Sequence, residues 1–538
     1  MEGRMLGNVE KLNKVFLYII LFIAFAAITF TGLNGSLQNV DEVLYARVSR
    51  ETLENQSWLL QYKDGKAWFH KSPMIFWTAM LSYRAFGVSD FSAKLPSAVA
   101  GVASAFLIFF LSRKIFKSVK AGIIGALIYL TSLQVYVSTH QVAIDSLLVM
   151  YLLLTVFFTV KGIEDRNAWF LLAGVSNGLV FLTKSILGLV VPATLFLYII
   201  VERKWKIIPY FFLMFVIGIG MAFPYFFAVY RRIPDVFVDS FLFANLIRRF
   251  YSGSGVSAGR LLYRVGEGII FYTIFLLLFT IPFTGGIVLV FNRRKEHVQI
   301  RDVIWGNPQK FLALYFLVTL IGYSLLSGKW PHWTMPMLPP VIIYLGYVLS
   351  AARNRAVYPY LAGFSLGAFA LILILYAVEG SKYPTYRDVF IGLAGLYGLF
   401  GIASFLLYVR RTDTGKGVFN LVIGFFLAFT VFTAVTVPLD FNRDIKTFSS
   451  VVYDDPSPLI VISTNKVNEG GKKTVTIWYL KMRSVQYNSL DRFLKSNKSV
   501  GPDTYLIYYR DYSEKLRELY PTFRTLKEGK IWNLGKVE

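Results

Sequence analysis

The chain has no cysteine among its 538 residues. Disulfides, thiolate metal sites and cysteine nucleophiles are excluded together. Charge is also scarce: Asp, Glu, Lys and Arg make up 16% of the residues, where soluble domains carry roughly 25%. Acidic residues are the scarcer kind, with 32 Asp and Glu against 56 Lys and Arg, which leaves a net charge of +24. No internal repeat and no low-complexity tract is visible. The first apolar run, from about Val15 to Thr31, is long enough to span a bilayer and has no small-residue cleavage site after it. It is therefore expected to be a membrane span and not a cleavable signal.

What the chain has in excess is apolar surface. Hydrophobic residues are 55% of it and aromatic residues 17%, and the mean hydropathy is +0.53. A soluble domain would aggregate with that composition, whereas a bilayer solvates outward-facing apolar side chains. The positive balance fits basic cytoplasmic loops and anionic lipid ligands; in so hydrophobic a chain, no nucleic-acid partner is expected. The length allows on the order of a dozen spans and one small soluble domain.

Apolar runs, oriented by Lys and Arg in short loops, place spans at about 14–33, 91–112, 120–139, 142–161, 168–183, 185–201, 207–230, 264–291, 309–327, 334–350, 357–378, 388–409 and 417–438. The tracts RKIFKSVK, ERKWK, NRRK, RNR and RR then lie on one side, the cytoplasmic one. Outer loops fall at 34–90 and 231–262, and residues 73–87, too short to span, are expected as an interfacial helix. The expected fold is a polytopic α-helical membrane domain over 1–439, with about thirteen helices, followed by a soluble α/β domain over 440–538 on the outer side. Short β-rich runs (LIVIS, VTIWYL, TYLIYY) alternate there with helical candidates (SLDRFLKS, SEKLRELY).

Once this topology is drawn, the polar residues gather on the outer face. Asp41 and Glu42 follow the first span, Lys71 ends the first outer loop, and Asp145 lies just inside the fourth span. Lys184 sits in the hairpin between the fifth and sixth spans, and Lys329 and His332 lie in SGKWPHW. Ionisable groups at membrane depth are costly and mark functional sites. Each also has a plainer reading. Asp41 can cap a helix, Asp145 can pair with His140, the lysines can snorkel to headgroups, and His332 can belong to an aromatic belt. The outer loop after the seventh span is basic (Arg231, Arg232, Arg248, Arg249, Arg260), as expected for headgroup contact or a phosphorylated ligand. Its glycines, Gly253, Gly255 and Gly259, suggest a lid or a flexible link. Together the cations suit a phosphate leaving group, and a carboxylate suits an acceptor hydroxyl that must lose a proton.

The stretch from Asp41 to Gly101, with DEVLYARVSRE, GKAWFHKSP, AFG and AKLPS in order, resembles the first outer loop of the lipid A aminoarabinose transferases. It is equally similar to related GT-C glycosyltransferases of the protein O-mannosyltransferase superfamily. VSTHQVAIDSLLV, GLVFLTKSILGLVVP and SGKWPHWTMPMLPP extend the likeness over roughly residues 10–350. The resemblance implies inverting transfer of a sugar from an undecaprenyl-phosphate donor to a lipid A or lipopolysaccharide acceptor at the periplasmic face of a bacterial inner membrane. A protein or another glycan is the alternative acceptor, and a lipid-linked sugar flippase is an alternative of another class. Asp41 is then the catalytic or positioning carboxylate, with Glu42 and Asp145 as further acidic candidates. Lys71, Lys184, Arg248, Arg249 and Lys329 are the candidate phosphate ligands. The family commonly has Glu where this chain has His70, and its histidine in the long loop has no counterpart here. A divalent metal is therefore doubtful, with His70 and His332 as the remaining weak candidates.

Overall fold

A computed structural model describes residues 2–37, 39–247, 258–287, 306–353, 355–379 and 387–436, and, of the remainder, 459–462, 484–487, 500, 504–509, 512–528 and 532–537. Side chains at 2–14, and at a few other positions next to the omitted segments, are likewise not described.

Within the described residues, the expected spans fall on helices, and 288–291 and 437–438 lie outside them. The first ten are α1 (Glu2–Phe30), α2 (Val40–Glu54), α3 (Met74–Phe86), α4 (Asp90–Phe116), α5 (Val119–Thr131), α6 (Leu133–Thr139), α7 (Ile144–Glu164), α8 (Trp169–Thr183), α9 (Val190–Glu202) and α10 (Ile208–Arg232). Further helices cover Ala258–Phe279, Asn307–Ser324, Leu338–Ala351, Val357–Glu379, Arg387–Val409 and Thr414–Thr436. Eight helical segments among the described residues are long and apolar enough to cross a membrane alone. α5 and α6, bent by 68° at their junction, make a ninth if the two form one span. The apolar stretches Val15–Phe30, Trp169–Thr183 and Leu338–Ala351 are shorter.

Burial differs from that of a soluble helix bundle. The span from Asp90 to Phe116 is 67% buried, while that from Leu261 to Phe279 is only 17% buried. An apolar helix with little protein cover is stable only where lipid covers the rest. The central helix α4 packs on α1, α3, α5 and α7. Its start is set by sequence: Ser89 and Ser92 form a reciprocal capping box that satisfies two otherwise orphaned amides. Its interior Pro96 donates no helical hydrogen bond.

The first outer loop is ordered in layers. Asn39 caps α2, its side chain accepting from the Glu42 amide at 2.8 Å, so the cap is Asn39 and not Asp41. A two-stranded hairpin follows, β1 (Gln61–Lys63) with β2 (Lys66–Trp68). Asp64 and Gly65 turn it at positive φ, 56° and 71°, a geometry that favours Asp-Gly. Then comes α3, the helix expected at 73–87.

The C-terminal strands form a five-stranded sheet in the order β4-β3-β5-β7-β6, from β3 (Leu459–Ile462), β4 (Ser484–Tyr487), β5 (Thr504–Tyr509), β6 (Phe523–Glu528) and β7 (Trp532–Val537). β3 runs parallel to β4 and β5, and β7 antiparallel to β5 and β6. Ile460, Leu506, Tyr508, Leu516, Phe523 and Val537 form its small core. The helix expected at SEKLRELY is Ser513–Leu519, while VTIWYL and SLDRFLKS lie outside the described residues.

Candidate active site

The site is built from the motif GKAWFHKSP upward. Phe69 is fully buried and stacks on Phe237 at 5.6 Å and packs on Phe241 at 4.9 Å between ring centroids. Phe237 and Phe241 belong to a π-helix, Phe237–Ile247, a turn type common at functional sites. The loop after α10 therefore closes over the first outer loop through aromatic contacts. Trp68 lies against the His70 ring at 4.9 Å, and the Gln61 side chain donates to the Lys71 carbonyl at 3.1 Å. The Lys71 backbone is thus tied to the hairpin.

Asp145 lies in the first turn of α7 and Lys184 is the C-cap of α8. The two helices are antiparallel neighbours, so these ends lie at the same level. Lys184 Nζ donates to Asp145 Oδ1 at 2.8 Å, with side chains 22% and 13% exposed. The charged groups that act on Asp145 are Lys184, His332 and Lys71. Those that act on His332 are Asp145, Lys184, Asp41 and Lys71. Five side chains from separate parts of the chain thus share one electrostatic neighbourhood. Burial pushes the His332 imidazole below its ordinary value, more than the carboxylates lift it, so it is neutral at neutral pH. His70 is also lowered, by burial and by Lys71 and Lys63.

Other expected members stand elsewhere. Lys329 Nζ donates to the Leu326 and Ser324 carbonyls at 2.6 and 3.0 Å, closing the end of the helix Asn307–Ser324, and its charged neighbours are Glu267 and Arg264. Glu42 is 1% exposed and faces Lys94 at 3.7 Å, inside the helix packing. Arg231 and Arg232 are exposed at the end of α10. Arg248, Arg249, Gly253 and Gly255 lie outside the described residues. His140 does not pair with Asp145: its ring meets the Tyr136 carbonyl at 2.7 Å and the Thr31 carbonyl at 3.1 Å. Among the described residues no group of three or more His, Asp and Glu can hold a metal ion.

Sequence reasoning did not single out Gln61, Lys94 or Ser97. Gln61 carries no signal in the sequence, since its role is a side-chain bond to the Lys71 carbonyl that only the folded loop creates. Lys94 and Ser97 stood in the AKLPS motif without an assigned task.

The dolichyl-phosphate-mannose-protein mannosyltransferase family model matches residues 70–247. Among curated proteins, the undecaprenyl phosphate-alpha-4-amino-4-deoxy-L-arabinose arabinosyl transferase of Edwardsiella ictaluri is 26% identical over 425 residues, 75% of this chain and 74% of that protein. The Yersinia pestis protein of the same name is 25% identical over 324 residues, 58% of this chain and 56% of that protein. The crystal structure of ArnT from Cupriavidus metallidurans bound to undecaprenyl phosphate superposes with a TM-score of 0.72 at 17% identity, over 97% of this chain and 98% of that one. The apo structure of the same protein gives a TM-score of 0.71. At that identity the likeness is one of fold, and the fold is the GT-C architecture that the loop motifs imply.

Proposed function

We propose that this chain, an ArnT-like glycosyltransferase of the GT-C class, transfers a sugar with inversion from an undecaprenyl-phosphate donor to a lipid A or lipopolysaccharide-type acceptor. The observation that carries the reading is the ion pair of Asp145 and Lys184, 2.8 Å apart where α7 starts and α8 ends, with Lys71, His332 and Asp41 within electrostatic reach of it. A lipid-linked sugar needs cations at its phosphate and a carboxylate at the attacking oxygen, and both are present within one site.

In the reaction the acceptor oxygen forms a bond to the anomeric carbon while the carbon–oxygen bond to the phosphate breaks. The electron pair leaves with the phosphate oxygen. Lys71 and Lys184 stabilise that developing charge. Asp41 orients the acceptor hydroxyl and takes its proton. Asp145 holds Lys184 in place through their ion pair. If the acceptor oxygen already belongs to an ionised phosphate, no proton moves and Asp41 serves only to orient it.

The side of the membrane follows from charge. The basic tracts RKIFKSVK and ERKWK lie at the ends of α4 and α9, and Lys114 meets Glu164 and Asp165 at the end of α7 away from Asp145, which by the positive-inside rule supports a cytoplasmic side there. The site and the C-terminal sheet are then periplasmic, in an inner membrane. Radiolabelled sugar on undecaprenyl phosphate, supplied to membranes holding the chain, tests the reading, with lipid A analysed by mass spectrometry. Label in lipid A supports it. Label in protein or another glycan leaves the chemistry and changes the acceptor. Donor that crosses the membrane with its sugar intact identifies a transporter and sinks the reading.

A further inference from the structure

We propose that Lys94, Glu42 and Ser97 form a buried brace that fixes Asp41 and Asp145 relative to one another, which makes all three positioning residues for the transfer. The proposal rests on the function above and concerns the motif Lys94-Leu95-Pro96-Ser97, whose task that function leaves open.

Lys94 and Ser97 are three residues apart on α4 and so lie on one face of it. They are 3% and 0% exposed, and Glu42 is 1% exposed. Lys94 Nζ donates to the Gly35 carbonyl at 2.7 Å and the Ser36 carbonyl at 3.0 Å, which ties down the chain where it leaves α1. The same Nζ lies 3.7 Å from Glu42 Oε1, and Glu42 immediately follows Asp41 in the first turn of α2. Glu42 Oε1 accepts the Val142 amide at 3.3 Å. Ser97 Oγ accepts the Ala143 amide at 3.0 Å. Val142 and Ala143 lead directly into α7, whose first turn carries Asp145.

The exit of α1 and the adjoining start of α2 thus meet, on one turn of α4, the start of α7, which lies 100 positions beyond Glu42 along the chain at Val142. Two of them carry the acidic residues of the site. A charge pair this deeply enclosed is a poor way to gain stability, because desolvation offsets the attraction. It does hold its partners at fixed distances. Glu42 is then not a proton acceptor for the substrate but the link between the two starts.

The test uses the full chain in membranes or detergent with the undecaprenyl-phosphate sugar donor. Two variants are compared with wild type: Ser97→Ala, which removes one acceptor, and Glu42→Leu with Lys94→Met, which removes both charges together so that neither is left buried alone. The expected result is a fall in kcat per folded protein of about tenfold or more, toward the roughly 10²-fold that a 1 Å misplacement costs. KM for the donor changes less than kcat, since Lys71 is not on the brace and Lys184 meets it only through Asp145. Unchanged kcat in both variants, or a loss matched by loss of folded protein, overturns the proposal.

A second readout does not depend on activity. The chain has no native cysteine, so spin labels can be placed on Asn55→Cys, at the end of α2, and Val137→Cys, on α6. A narrow distance distribution that broadens in the double variant supports the brace, and an unchanged one overturns it. If wild type transfers no sugar at all, the functional reading fails, while the spin-label result still reports on the brace.

Discussion

Asp145 and Lys184 lie 39 positions apart in sequence and meet with Oδ1 and Nζ 2.8 Å apart. The pair joins the start of α7 to the end of α8, and both groups act on His332. Asp145→Asn removes the charge and keeps the shape. It is expected to cost about 2 kcal/mol of stability, the range for a hydrogen bond between charged groups, because the pair is only partly shielded. It should also lower transfer by releasing Lys184. Melting of the purified protein and initial rates measured side by side check both.

Gln61 touches the site only through the Lys71 carbonyl, at 3.1 Å. Gln61→Ala should therefore shift Lys71 without removing its charge. The expected outcome is a several-fold higher KM for the lipid donor together with a several-fold lower kcat, whereas Lys71→Ala should lower kcat and kcat/KM much further. Steady-state kinetics over a range of donor concentrations separates the two. An unchanged KM in Gln61→Ala would show that Lys71 needs no such support.

Arg47 is buried, and its guanidinium bonds Glu51 at 2.6 Å and the Asp64 carboxylate at the hairpin turn. This is how α2 holds the hairpin that carries Gln61. Arg47→Met leaves Glu51, 15% exposed, without its cation. A loss of about 3 kcal/mol is expected, the low end for a broken buried pair, since Asp64 is half in solvent. Thermal or denaturant unfolding measures it.

His332 and His70 are both lowered, chiefly by burial. A group held below its unfolded value binds its proton in the unfolded chain first. Stability is then full above the ordinary histidine value of about 6.5 and is lost as pH falls below it. The melting temperature should be flat from pH 8 to about 7 and should decline toward pH 5. His332→Asn should flatten part of that decline. A melting temperature that rises on acidification through this range would contradict the assignment.

The membrane architecture was legible because a span announces itself in one dimension, as an unbroken apolar run with basic flanks. The side chains of the first outer loop were legible because their order, from Asp41 through Lys71 to AKLPS, is itself a pattern. Pairings across helices were not. Nothing local says that Asp145 meets Lys184 and not the nearby His140, or that Lys329 turns back on the carbonyls of its own helix. The bend between α5 and α6 was also hidden, since Ser132 in an apolar run carries no break signal comparable to proline. In the C-terminal sheet, LIVIS and TYLIYY stood out as apolar runs, whereas β6, FRTLKE, has charged residues on an exposed face and reads as loop.

The account stands most directly on Asp41. Single-turnover transfer from radiolabelled undecaprenyl-phosphate sugar should be compared between wild type and Asp41→Asn at equal amounts of folded protein. A loss of about 10²-fold or more is predicted, the usual contribution of a general base, with donor binding retained. Wild-type rates in Asp41→Asn would contradict it.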